Sequence, residues 1–146
     1  MSAGFDVNIS GFADLKRKIQ TVKVNLRRNA QNEIMYAGVQ MQTDAKRSVA
    51  TGGLGRPTGR LIAGIQIYPR TDRMGVTVTS EANYSPYHEF GTGNLVSVPS
   101  GYEKVAMEFK GDDIREVNIK PRPFMLPNYF KNRDELLKSL REINLL

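Results

Sequence analysis

His88 and Glu89 stand side by side in "YSPYHEFGTG" (Tyr84 to Gly93), and His88 is the only histidine of the 146-residue chain. An imidazole next to a carboxylate could serve as a general base and acid, or supply two ligands to a metal ion. Their spacing argues against both uses. Neighbouring residues point to opposite faces of a strand and stand about 100° apart on a helix, so they do not converge on one substrate atom. A metal needs about three or four protein ligands, and this pair provides two. The chain has no cysteine, which removes thiolate nucleophiles, sulfur-based zinc sites and disulfides and fits a reducing compartment. The glycine-rich "TGGLGRPTG" (Thr51 to Gly59) lacks the GxxxxGK[ST] spacing and a preceding strand, so it is not expected to cradle a nucleotide phosphate. No catalytic residue, metal or cofactor is expected.

The same decapeptide reads more economically as a piece of shape. Ser85 can cap a single helical turn whose first position is Pro86, and Gly91 can leave that turn with positive φ. Phe90 then anchors the turn in the core, with Tyr84 and Tyr87 at its edges, where a phenol still finds a partner. Glu89 is expected to accept charge-assisted hydrogen bonds from an arginine of another segment, Arg60 or Arg122.

Around this turn, the apolar pattern predicts the elements. Phe12, Leu15, Ile19, Val22, Leu26, Ile34, Ala37, Met41, Ala45 and Val49 recur at helical spacing, started by Ser10 or Gly11 with Asp14 in the first turn. The β-branched "TVKVN" (Thr21 to Asn25) predicts a division into two helices, near 11–22 and 26–49. Four glycines in "TGGLGRPTG" and Pro57 end the helical half. "GRLIAGIQIYPR", the turn "RTDR" and "GVTVTS" read as a strand hairpin, with Leu61, Ile65 and Ile67 on one parity. "KVAMEFK", "GDD" and "IREVNIK" suggest a second, and Gly93 to Gly101 has no periodicity. "KPRPFMLPNYF" is expected to be extended by its three prolines. "NRDELLKSLREINLL" should be a short amphipathic helix with Leu136, Leu137, Leu140 and Ile143 inward. The expected class is α+β, with N-terminal helices on a small, mainly antiparallel sheet and a C-terminal helix, as a single domain over 1–146 in which 93–120 is an extended loop or hairpin.

Charge adds a polarity to the chain. Residues 1–70 carry 11 Lys and Arg against 4 Asp and Glu, and residues 71–146 carry 10 against 11. Lys16, Arg17, Lys18, Lys23, Arg27 and Arg28 form a basic ridge that could meet nucleic acid or an acidic protein face, or simply be solvated. No apolar run reaches the length of a membrane span and the N-terminus lacks signal-peptide regions, so a cytoplasmic chain without membrane contact is expected.

Three stretches, in order, point to a family: "PTGRLIAGI" (Pro57 to Ile65), "YSPYHEFGT" (Tyr84 to Thr92) and "KPRPFMLPNYFKNRDEL" (Lys120 to Leu136). They resemble the TGxL, YxxYxEFGT and RPFLxPA signatures of the tail-component family of long-tailed bacteriophages, also described as tail-completion, neck or head-to-tail joining proteins. The likeness covers most of residues 11–143, and the positions that carry it are Gly59, Arg60, Leu61, Tyr84, Tyr87, Glu89, Phe90, Gly91, Thr92, Arg122, Pro123 and Phe124. Two departures stand out: the Gly93 to Lys120 connection is longer than usual, and "LPNYF" replaces an alanine-rich helix start, which could move that helix boundary by a turn. The resemblance implies a structural virion subunit and not an enzyme. It would be made in the bacterial host cytoplasm and assemble as a ring, commonly six-fold, at the head-proximal end of the tail. Its implied partners are further copies of itself, the tail-tube protein and the head connector or stopper, with DNA passing through the lumen. Phe124 and Met125 are candidate anchors for docking or, equally, core residues, whereas Phe90 is expected to be core. The alternative is a non-specific nucleic-acid-binding module acting through the basic ridge.

Overall fold

The computed structural model describes residues 11–52, 59–92, 100–108 and 119–143. Gly11, at φ 98°, leads into a single 40-residue helix, α1 (Phe12–Thr51), with Asp14 in its first turn. The expected break at Thr21 to Asn25 does not occur. β-branched residues cost a helix only about half a kcal/mol each, and no glycine or proline interrupts the ladder there. Gly52 caps the end, its N–H donating to the Ser48 carbonyl.

The next segment also departs from the expected strand. Gly59–Ala63 is a helical turn, α2, and the strand parity assigned to Leu61 is instead a buried helical position. The hairpin follows as expected: β1 (Ile65–Pro69) and β2 (Val76–Ser80) pair antiparallel with Ile65 opposite Ser80 and Ile67 opposite Val78. Its turn is closed by the Arg70 N–H on the Gly75 carbonyl at 2.9 Å and by the Met74 N–H on the Asp72 carboxylate at 3.0 Å. α1 lies hard against this sheet. A Cβ built on Gly38 would stand 2.7 Å from a Val76 methyl and 3.1 Å from the Ile67 terminal methyl.

α3 (Ser85–Phe90) is the short turn of the signature segment. Its N-cap is Tyr84, one residue earlier than expected, and no side chain caps it, while Gly91 leaves at φ 80°. α4 (Glu103–Glu108) is helical where a strand was expected; the rest of the expected second hairpin, 109–118, lies outside the described residues, as do 53–58 and 93–99. The final helix, α5 (Leu126–Arg141), includes Pro127 in its first turn, so the extended stretch is shorter than the prolines suggested. Proline is tolerated there because the first-turn amides have no intrahelical acceptor.

The core comprises Ala45 and Val49 of α1, Leu61 of α2, Ile65 of β1, Ala82 and Phe124, with Ile62, Val78, Tyr84 and Met125 packed around it. α5 runs antiparallel along α1. The Asn128 amide donates to the Ser48 hydroxyl at 2.9 Å, and further along, Lys131 and Asn132 donate to the Asp44 carboxylate at 3.0 and 3.3 Å. The architecture is α+β: one long helix carrying a two-stranded antiparallel sheet and a C-terminal helix.

Candidate functional site

Glu89 organises the region in which the signature stretches meet. It is 6% exposed, held at the fifth position of α3 by the turn that Pro86 opens and Gly91 closes. One carboxylate oxygen accepts the N–H groups of Phe124 and Met125, at 2.8 and 2.9 Å. The other accepts the Leu126 N–H at 2.8 Å. These amides lie at the N-terminal end of α5, where they have no partner inside the helix and where the helix dipole is positive. No local side chain caps α5; Glu89 does so from across the fold. The arginine expected to pair with it, Arg60 or Arg122, is replaced in that role by the main chain. Three oriented amides at a helix terminus compensate a carboxylate without burying a second charge beside it.

The suture continues on both sides of Glu89. The Arg122 N–H donates to the His88 carbonyl at 2.7 Å and the Thr92 N–H to the Ile119 carbonyl at 3.0 Å. The Ile119 N–H in turn donates to the Thr92 hydroxyl at 2.8 Å. The "YHEFGT" segment and the "PRPFM" segment are thus stitched along their length. Beneath them Leu61, 2% exposed, and Phe124, 1% exposed, share the core cluster, which draws in the first signature. Phe124 is a core residue and presents no anchor to a partner; Met125 packs partly buried against the same cluster. Phe90 is buried as expected. Tyr84 is half-buried against the core and Tyr87 is exposed. Gly59, Arg60, Arg122 and Pro123 lie on the surface of the same region.

His88 is half-buried and meets the Tyr84 ring edge-on at 5.8 Å between centroids. Burial, and then the neighbouring Arg122 guanidinium, hold its pKa below the usual value near 6.5, which favours the neutral ring. Because both Glu89 oxygens are taken up by main-chain donors, His88 and Glu89 form no acid–base pair. Among the described residues, no group of three or more His, Cys, Asp or Glu side chains is placed to hold a metal ion, and no helix is long and apolar enough to cross a membrane.

A second set of polar contacts escaped the sequence reading. Asp44, with a side chain 12% exposed, receives Lys131 and Asn132 of α5 and lies 3.5 Å from Arg47. The hydrogen bond from Lys131 holds the Asp44 carboxyl below its ordinary range, against the opposing effect of its burial. Asn132 is 4% exposed and also donates to the Asn128 carbonyl at 2.9 Å. Asn128 likewise donates to the Phe124 carbonyl at 2.7 Å. The available signal was a pair of asparagines four apart in an amphipathic stretch.

The basic ridge is exposed throughout: Lys16, Arg17, Lys18, Lys23, Arg27 and Arg28 all lie on the N-terminal half of α1. Arg17 pairs with Asp14 at 2.7 Å, with both side chains well exposed. The apolar stripe of this half is exposed too, contrary to its expected burial, from Phe12 at 74% to Leu26 at 39%. In comparisons with protein-family models, with curated proteins and with solved structures, the chain matches none.

Proposed function

We propose that this chain is a structural subunit of a bacteriophage virion that completes the head-proximal end of the tail and joins it to the head connector or stopper. The observation that carries this reading is the convergence of three separated stretches with tail-component-like residues. Leu61 and Phe124 share one core, and Glu89 fastens α3 to the start of α5. A conformation fixed by such long-range contacts suits a subunit whose task is to present a constant contour to identical neighbours. The assembly is a homo-oligomeric ring, commonly six-fold in the family it resembles. In a rotational ring one patch of each copy meets a different patch of the next, and Gly59, Arg60, Tyr87 and Pro123 lie on the surface nearest the suture. The tail-tube protein is the second partner, and DNA passes through the lumen. The protein is made in the host cytoplasm and resides in the neck; no catalytic step is assigned to it. Disrupting the gene in its phage should leave filled heads and separate tails, restored to joined particles by supplying the chain in trans. Normal yields of infectious particles without it would contradict the reading.

A second reading, a nucleic-acid-binding module, is favoured by the full exposure of the basic ridge on α1. It predicts binding that ignores sequence and falls steeply with salt. Replacing Lys16, Arg17, Lys18, Lys23, Arg27 and Arg28 by glutamine should abolish DNA binding. Intact ring formation by that variant would assign the ridge to the lumen.

A further inference from the structure

We propose that the N-terminal half of α1 is a docking seam for an amphipathic helix of another protein, one whose own apolar seam is edged with aspartate and glutamate. Phe12, Leu15, Ile19, Val22 and Leu26 are 74, 54, 58, 38 and 39% exposed. Their alternating steps of three and four are those of the a and d positions of a heptad repeat. At 3.6 residues per turn they occupy an arc of roughly 80°, the narrow seam of helix pairing and not the broad apolar face that lies on a lipid surface. The same line along α1 continues through Glu33, Ala37, Gln40 and Asp44, where α5 sits: the first three line a recess of about 100 Å3 with Asn132, Glu135 and Leu136, and Asp44 binds Lys131. One half of the face therefore already carries an antiparallel helix, and α5 ends at Arg141 beside the last turns it covers. The uncovered half, Phe12 to Asn29, extends about 27 Å further at 1.5 Å per residue.

Charge selects the occupant. From Phe12 to Arg28 there are six Lys and Arg against the single Asp14. Lys16 and Lys23 flank the stripe on one side and Lys18 on the other. Two copies of this seam would oppose lysines across either a parallel or an antiparallel pair, because flanking positions face one another in a coiled coil. A partner helix with Glu or Asp at those positions reverses the sign at every contact. This inference does not rest on the neck reading and holds for any cellular or virion partner of that chemistry.

The test uses the full chain and a synthetic helical peptide of about three heptads with leucine at a and d and glutamate at the flanking positions. Two further peptides serve as controls: a twin with lysine at the flanks, and a scrambled peptide of the acidic composition. Fluorescence anisotropy should show the acidic heptad peptide binding at least about tenfold more tightly than either control. L15S/I19S, which keeps every charge and touches no core residue, should remove that binding. Equal binding of the scrambled peptide, or retention by L15S/I19S, would reduce the effect to bulk charge and overturn the proposal. Self-association of the protein that L15S/I19S abolishes would assign the seam to a second copy, with the same consequence. Recruitment to phosphatidylserine vesicles or duplex DNA that L15S/I19S weakens equally would also overturn it. Rings that persist in L15S/I19S separate a failure of this inference from a failure of the neck reading.

Discussion

The Glu89 carboxylate accepts three main-chain hydrogen bonds at 2.8 to 2.9 Å from a site only 6% exposed, so replacing it leaves amides at the start of α5 without acceptors. Hydrogen bonds to a charged acceptor contribute more than neutral ones, and a buried donor left unpaired costs about 1 to 3 kcal/mol. Glu89→Gln keeps the shape but turns an amide N–H2 towards an N–H, and we predict a loss of about 3 kcal/mol, read from the urea midpoint at unchanged slope. His88 gives a pH-dependent counterpart. Its folded pKa lies below the ordinary value near 6.5 through burial and Arg122, so the unfolded chain takes up the proton first. Stability should therefore fall as pH drops through about 6.5 towards the lower folded value, and His88→Gln should flatten that segment of the profile. The sequence made the architectural role of Glu89 legible, through proline, aromatic and glycine at fixed positions around it. Its partner was not legible, because a main-chain amide 35 residues away leaves no residue type to read.

At the scale of elements, α1 depends on a close approach to the sheet at Gly38, where an added Cβ would meet Val76 at 2.7 Å. Alanine gains about 1 kcal/mol in helix propensity, but overpacking of a fixed β-branched neighbour costs about 2 kcal/mol. Gly38→Ala should therefore destabilise the fold by about 1 kcal/mol, whereas a surface glycine in a helix normally gains from the same change. The Asp44 latch to α5 has its own pH signature. Lys131 holds the Asp44 carboxyl below its ordinary value near 3.8, so its contribution is complete above that value and is lost as pH falls through the lower folded one. Asp44→Asn should remove this acid-limb loss while leaving the His88 segment intact, measured by thermal unfolding from pH 7 to pH 2. The first hairpin and the second half of α1 were legible because burial on one face imposes a period; the same spacing continues through Phe12 to Leu26, where the face is exposed. Gly59–Ala63 and Glu103–Glu108 misled because five or six residues fit either period, and Leu137 is 45% exposed although it shares the leucine run of α5.

For the whole molecule, the arm and the body differ in what holds them. Residues 12–29 are exposed along their whole length, and among the described residues their hydrogen bonds and ion pairs are local to the helix, such as Arg17 with Asp14, whereas the second half of α1 supports the sheet and α5. Helices without tertiary packing are marginal, so amide exchange in the isolated protein should be fast over 12–29 and slow over 38–49, where Gly38, Ala45 and Val49 are buried. A partner that occupies the arm should slow the first segment alone. Assembly, however, is what most separates a neck subunit from other roles a basic α+β chain could have. Electron microscopy of the purified protein, alone and mixed with its tail-tube protein, addresses it directly. The account predicts closed rings with a lumen wide enough for duplex DNA, stacked on the end of the tube; a protein that stays monomeric and never joins the tube would contradict it.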